Sequence, residues 1–416
     1  MKKKKWFQSE SKKDIDSHSW FNMFSMSNND YNDHYENHDK PINQYLSCKT
    51  IQLFPNKNQK EILLKWMDLF IDMYNDTNYF INNNIYDFDN NIVKKEEKKE
   101  YLNFIKLRNT YLKDYKKNNI KNKIATHLID EAIKHNVSKH KTCITNYFSK
   151  NIKFFRLRNM KKDRRKKILI IESGLFSKKK NGFCITRLGE IRSSEELKVS
   201  KTSVLQYDKY LNKFLLYVPY ERESINIENR IKCGIDPGIR TFLTCYSEKE
   251  ILEIGDNDYK KYNKYQNKID KIRELFSNNM KNKKSFKKGM NHYYDKIKNM
   301  TKDLHFKCSK YLCERFNTIL IGKISTKDIV SNKNNLDKRT KRSMLSLCHF
   351  RFREILEYQC KKYNTELHIV DESYTTKTCH NCDEINEVGR SKVYECKGCG
   401  MKCGRDINAS INIYRK

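Results

Sequence analysis

The chain is 416 residues long, enough for two or three domains that each bury a core of their own. Its 85 lysines and arginines face 51 acidic residues, a net charge of +34, and a polyanion such as DNA or RNA is the natural partner, since neutralised phosphates release their counterions. No stretch approaches the roughly 20 apolar residues of a membrane span, and MKKKKWFQSE has no apolar signal core behind its lysines, which excludes a membrane protein and predicts an intracellular one with reduced thiols.

AT-rich coding DNA enriches lysine but does not remove aspartate and glutamate, so the imbalance carries meaning. Residues 1–45 are polar, rich in Asn, Asp, Ser and His, and aperiodic; they read as a disordered tail. The opening KKKK fits a nuclear-import patch and a solvated lysine run equally. SCKTIQLF at 47–54 predicts a strand. From Asn56 to about Lys167 apolar residues recur at three- and four-residue spacing, as in KEILLKWMDLFIDMY, and predict a helical region over 57–167. It closes in TNYFSKNIKFFRLRNMKKDRRKK, where aromatics interleave with cations. Phe154 and Phe155 suit base stacking there, and Arg156, Arg158, Arg164 and Arg165 suit phosphates; the same text also fits a solvated helix face.

Between Ile168 and Tyr220 the text breaks into short β-like runs, KILIIE, GFCITRL, KVSKTSVLQY and NKFLLYVPY, which predict a small sheet or barrel. The lone strand at 47–54 can close it. That gives a barrel from residues 46–56 and 168–230, interrupted by the helical block. After Ile231, strands at 231–236, 241–247 and 249–254 read as a meander, and a charged helical region runs from about 257 to 316. The strand NTILIGKI, a helix over about 340–363, the strand ELHIVDE and a helix through DINASINIYRK follow.

Three strands, helix, strand, helix, strand, helix is the ribonuclease H-like order, an α/β fold. In it the first, fourth and fifth strands run parallel and end at one edge, where open α/β sheets hold their ligands. CGIDPGIRTFLTCYS ends the first of these strands in Asp236, although the Pro-Gly pair behind it is also an ordinary chain reversal.

CHNC at 379–382 and CKGC at 396–399 are two C-x2-C pairs, 13 residues apart. Two such knuckles close one tetrahedral thiolate site that suits Zn²⁺, with Cys379, Cys382, Cys396 and Cys399 as ligands. Four thiolates leave no position for substrate, so this zinc is structural. Cys403 and His380 fall outside the pairing. The module, residues 373–404, is spliced between the last strand and the final helix. Asp406 therefore falls in the first turn of that helix, beside the strand ends, where an aspartate is also a good cap.

GIDPGIRTFLT, SYTTKTCHNC and YECKGCGMKCGRDINASINI resemble the TnpB proteins of bacterial insertion sequences and the Fanzor proteins, their eukaryotic and viral relatives; both are related to type V CRISPR effectors. The resemblance covers the last 190 or so residues firmly and 47–230 in outline, as a wedge barrel interrupted by a recognition lobe. It implies an RNA-guided DNA endonuclease, with guide RNA and target DNA as partners and one RuvC-type centre over 231–372 and 405–416. Such a centre holds two Mg²⁺ ions on three acids. A eukaryotic or viral host would place the protein in the nucleus, and a bacterial one in the cytoplasm.

Asp236 matches the first acid and Asp406 the last. The second departs: most TnpB proteins carry a Glu after the fourth strand, where ILIGKIS has Gly322. Fanzor proteins and some TnpB proteins replace it with a Glu just before the zinc module, which here is Glu372 in VDESYTTKTC. Adjacent strands lie about 4.8 Å apart, a gap a glutamate on the outgoing chain can span. Asp371 is the local competitor, although strand alternation points it to the opposite face, and Asp328 is a further one. A centre without its second acid would leave an inactive RNA-guided or DNA-binding protein. D-P-G-I-R-T also fits the phosphate loop of actin-like ATPases, but their second acidic loop and Gly-rich adenosine site have no counterpart among 12 glycines.

Overall fold

The computed structural model describes residues 4–5, 44–87, 92–93, 98–118, 124–153, 155–278, 283–330, 336–389 and 391–416. Most of the tail expected over 1–45 lies outside these residues, as do Phe154 and the side chain of Asp328. The chain forms two units, one built mainly from residues 46–222 and the other from 223–416.

The strands β1 (Lys4–Lys5) and β2 (Gln44–Phe54) come first, and α1 (Lys57–Ile85) follows. A capping box starts this helix. Asn56 accepts from the Gln59 amide at 2.9 Å and Gln59 accepts from the Asn56 amide at 3.0 Å, satisfying two donors a helix end leaves bare. Next come β3 (Tyr86–Asp87), β4 (Ile92–Val93), α2 (Lys98–Tyr101), α3 (Phe104–Asn118) and α4 (Thr126–Phe148). The sheet of this unit is made from β5 (Lys166–Ile171), β7 (Ser203–Asp208), β8 (Lys213–Glu223), β2 and β6 (Arg192–Ser193), in that spatial order. The lone strand takes its place between β8 and β6, so the helices enter as an insertion into one sheet. GFCITRL is not a strand: Phe183 makes one bridge to Phe176, and α5 (Ile185–Leu188) takes the rest.

The helical periodicity expected to reach Lys167 stops at Phe148. Asparagines on α1 explain the difference, because they offer the following chain the hydrogen bonds a helix would have supplied. Asn75 both donates to the Met160 carbonyl (3.0 Å) and accepts from its amide (2.7 Å), and Asn78 and Asn82 donate to the Leu157 carbonyl at 3.1 and 3.0 Å. Pinned this way, residues 155–160 follow α1 without forming a helix.

The second unit starts with β9 (Ile231–Pro237), β10 (Leu243–Tyr246) and β11 (Ile251–Ile254), the expected meander. The charged region is a pair of helices, α6 (Tyr259–Asn278) and α7 (Lys283–Arg315). Then come β12 (Phe316–Gly322), α8 (Thr326–Ile329), α9 (Lys338–Leu347), α10 (His349–Lys362), β13 (Glu366–Val370), the hairpin β14 (Val393–Glu395) and β15 (Lys402–Gly404), and α11 (Arg405–Arg415). The single helix expected over 340–363 is broken at Cys348, whose φ of 49° is left-handed. The sheet order β1-β11-β10-β9-β12-β13, with β9, β12 and β13 parallel, is the ribonuclease H-like arrangement.

Strand alternation sorts the faces. Cys233 and Ile235 of β9, with Ile319 and Ile321 of β12, are buried in a core shared with Leu312 of α7 and Phe352 of α10. Gly234 points the other way, against α11. A Cβ there would meet the Tyr414 amide nitrogen at 2.5 Å and the Ser410 carbonyl at 2.6 Å. Those are backbone atoms that cannot swing aside, so the helix lies this close only over glycine. Gly234→Ala is expected to cost about 3 kcal/mol of unfolding free energy, measured as a lower urea midpoint. An unchanged midpoint would contradict this packing.

Candidate metal centres

Asp236 is two residues beyond Gly234 and therefore points to the same face, the one α11 covers. It pairs across β10 with Thr244, one step beyond the Ile235–Ile321 pair that joins β9 to β12. Gly322 is the next residue of β12, level with Asp236, and it pairs in turn with Val370 of β13. Two residues on, the chain turns: the Thr375 amide and hydroxyl both donate to the Glu372 carbonyl, at 3.1 and 2.8 Å, and Tyr374 is left-handed at φ 63°. That turn sends the main chain away and leaves the Glu372 side chain over Gly322. Asp406 comes from the α11 side, in the helix's first turn, where a carboxylate meets the positive end of the peptide dipoles.

The electrostatics place these acids in one field. Burial, then the charges of Asp406 and Glu372, hold the Asp236 carboxyl well above the usual carboxylate range, with Arg405 opposing. Burial pushes Glu372 up to about 7, against the pull of Arg353 and Lys416. Arg405 reaches Asp406 Oδ1 at 3.2 Å. Asp371 differs in every respect: it is exposed, accepts from the Ser373 amide at 3.3 Å, and is held below the usual range by the Ser373 side chain first and by that amide after it. Glu372 thus faces inward and Asp371 outward.

Two observations bear on whether these residues suit divalent cations. Glu372 Oε1 is buried without a hydrogen-bond partner, a costly state for an acceptor unless something cationic meets it. Moreover, the charges of Asp406 and Glu372 both press on the buried Asp236 carboxyl, with Arg405 opposing them there. The oxygens of the three acids do not all lie within 4.8 Å of one another, so no single ion is held by all three at once. The donor set, all carboxylate oxygen, fits Mg²⁺.

Among the described residues, only Cys379, Cys382, Cys396 and Cys399 bring four ligand atoms within 4.8 Å of one another. Cys379 and Cys399 sulfurs are 3.8 Å apart, and Cys382 and Cys396 sulfurs 3.5 Å. Four sulfurs at about 2.3 Å from a tetrahedral Zn²⁺ would be separated by about 3.8 Å, so the cluster fits that ion. The Asn381 amide points at Cys379 (3.4 Å) and the Asn386 side chain at Cys396 (3.4 Å), donors suited to thiolates. Cys403 donates to the Gly404 carbonyl instead, outside the cluster.

The knuckle is locked to α11. Asn408 accepts from the His380 amide at 3.0 Å and donates to the Thr378 carbonyl at 2.7 Å, while Asn412 donates to the Thr375 and Thr378 carbonyls at 2.8 and 2.7 Å. Both asparagines are buried. His380, a bystander in the sequence, is thus one link between Cys379 and the helix that carries Asp406. The motif DINASINI holds this signal only as two polar residues at i and i+4 on an otherwise apolar face. Arg405 is tied to the acids in the text only by standing next to Asp406, and Arg353 by nothing in its spacing.

The cationic segment divides. Phe155 packs edge-on against Tyr86 (4.9 Å between centroids) and against Tyr147 (6.3 Å), so its half-buried ring lies against the core. Arg165 pairs with buried Asp208 at 3.2 Å and lies over the Tyr210 ring at 5.1 Å. Arg156, Arg158 and Arg164 are exposed.

Two family profiles match this chain, one described as "Probable transposase" over residues 217–333 and one as "Cas12f1-like, TNB domain" over residues 349–413. "TnpB-like protein L79" of Acanthamoeba polyphaga mimivirus is 39% identical over 386 residues, 89% of this chain and 73% of that relative. The chain belongs to the TnpB-like family. A shorter match, 34% identity over 64 residues and 15% of this chain, is to the Mycobacterium tuberculosis protein named "Putative RNA-guided DNA endonuclease Rv2885c". Among solved structures, the Cas12f1–sgRNA–target DNA complex contains a chain of the same fold, at a TM-score of 0.54 and 13% identity over 86% of this chain and 83% of that one. This TnpB-like chain is related both to transposases and to RNA-guided endonucleases. Among its described residues no helix is long and apolar enough to cross a membrane.

Proposed function

We propose that this TnpB-like protein is an RNA-guided DNA endonuclease that hydrolyses phosphodiester bonds at one RuvC-type centre of Asp236, Glu372 and Asp406. The observation that carries the reading is the buried, partnerless Glu372 Oε1, on the face and at the sheet edge where Asp236 lies. When bound there, two Mg²⁺ ions would supply an activated water and neutralise charge on the leaving oxygen. Asp236 is fixed by strands on both sides, Asp406 by the helix over Gly234, and Glu372 by the turn at 372–375. The main chain of each acid is therefore fixed before substrate arrives, which limits the reorganisation left at the moment of reaction.

In this reading residues 231–372 and 405–416 form the nuclease, and 373–404 a zinc ribbon whose structural Zn²⁺ is held by the four cysteines. Residues 46–56 and 168–230 form a wedge and 57–167 a recognition lobe, and together they grip guide RNA and its DNA heteroduplex. The net charge of +34 supports phosphate binding, with exposed Arg156, Arg158 and Arg164 as candidate contacts and sequence choice left to base pairing. Likeness to a protein named as a putative RNA-guided DNA endonuclease, and to a chain solved with sgRNA and target DNA, supports the same partners. The reading puts the protein where cellular or viral DNA lies, which in a eukaryotic host is the nucleus.

The test is to purify the protein with its bound RNA, sequence that RNA, and offer DNA matching its guide segment. Cleavage is expected only with Mg²⁺ or Mn²⁺ and only of matched DNA. Binding of matched DNA without cleavage in either metal would favour an inactive, RNA-guided DNA-binding protein.

A further inference from the structure

We propose that positions 322 and 372 form a single niche that admits one side chain, which makes Gly322 a positioning residue for Glu372. The inference rests on the reading of Glu372 as a metal-holding acid.

A Cβ at Gly322 would come within 2.7 Å of Glu372 Cγ and 2.9 Å of its Cδ, and closer still to Oε1. Carbon atoms in ordinary contact keep about 3.5–4.0 Å. The overlap involves the stem as well as the tip, so Glu372 cannot give way by turning its carboxylate alone. It would have to leave the niche.

Conformation does not explain the glycine. Gly322 is not among the glycines with positive φ, and it ends a regular parallel strand, paired with Val370. Its backbone would accept alanine, and a glycine in a strand costs roughly 0.5–1 kcal/mol relative to alanine. What glycine supplies here is room. β12 carries no side chain where it stands level with Asp236, and the β13 exit carries one that fills the same space. The two substitutions are one steric event: an acid reaching in from residue 372 requires that residue 322 reach nowhere.

Three variants separate this from a merely structural role. Gly322→Ala is expected to lower cleavage at least 100-fold and to weaken Mn²⁺ binding at least tenfold, read by electron paramagnetic resonance on the RNA-loaded protein without DNA. Glu372→Ala should be inactive. Adding Gly322→Glu to Glu372→Ala should recover at least tenfold of both cleavage and Mn²⁺ affinity, because a glutamate on β12 then enters an emptied niche. Thermal melting guards against misfolding: Gly322→Ala should shift the melting temperature differently in the native background, where Glu372 must leave the niche, and in the Glu372→Ala background, where the niche is empty.

Normal cleavage and Mn²⁺ binding in Gly322→Ala, with Glu372→Ala inactive, would overturn the shared niche and leave the proposed centre standing. So would equal melting shifts in both backgrounds, or no recovery in the folded double variant. Full activity in Glu372→Ala would instead overturn the centre itself.

Discussion

Glu372→Gln is expected to abolish DNA cleavage, by about a thousandfold or more, while guide-RNA binding stays at the native level. Glutamine has the same shape, so it keeps the packing over Gly322 and removes only the charge. What is lost is one anionic oxygen donor of the centre, and a metal centre contributes several kcal/mol to stabilising charge at a reacting phosphoryl group. The fold should not suffer. Asp236 is pushed up partly by the charge of Glu372, so neutralising that charge relieves repulsion at the sheet edge. A melting temperature equal to or above the native one would therefore accompany the inactive variant. Asp371→Asn should change cleavage by no more than about twofold, since its carboxylate is exposed and only caps the turn at Ser373. The reverse pattern, with Asp371→Asn inactive and Glu372→Gln active, would move the centre to the other acid.

The second large effect concerns zinc. A strong chelator, or Cys382→Ser with Cys399→Ser, is expected to unfold residues 373–404 and to abolish cleavage although no cysteine lies in the nuclease centre. The ribbon has little else to hold it: its core is Cys379, Tyr394 and Cys396, and a structural zinc site supplies on the order of 10 kcal/mol to such a module. The damage should spread through named bonds. Without the knuckle, the Thr375 and Thr378 carbonyls and the His380 amide no longer hold Asn408 and Asn412, and those buried amides set the helix that carries Asp406. Hydrogen exchange would follow this directly. Amides of 405–415 should lose protection on chelation, whereas β9 and β12 should keep theirs. Retained protection of the final helix in metal-free protein would contradict the coupling.

How much of this was legible in the sequence depends on how local the signal was. The strand ending in Asp236, the two C-x2-C pairs and the final helix announce themselves in a few consecutive residues, and their order suffices for the ribonuclease H-like sheet. The helix expected up to Lys167 fails for the opposite reason: its end is decided by Asn75, Asn78 and Asn82, some 80 residues earlier, which bond a segment whose own text looks helical. The split of α9 from α10 rests on one left-handed cysteine, a conformation no pattern of polarity announces. GFCITRL reads as a strand from its apolar content, yet Phe183 makes only a single bridge.

At the centre, Gly322 looks like a loss when read alone. Only the packing of Glu372 over it turns the pair into an exchange, and that contact joins residues 50 positions apart. Phe155 illustrates the converse. Its cationic neighbourhood suggests a stacking surface, whereas Tyr86, far back in the chain, holds its half-buried ring against the core.

In the proposed centre Asp236, Glu372 and Asp406 together hold the catalytic cations. Crystals of the RNA-loaded protein soaked in Mn²⁺ would test it through the anomalous signal. Manganese is expected on those three carboxylates in the native protein, with the Glu372 contact gone in Glu372→Gln. Manganese held by Asp371 instead, with Glu372 turned toward solvent, would contradict it.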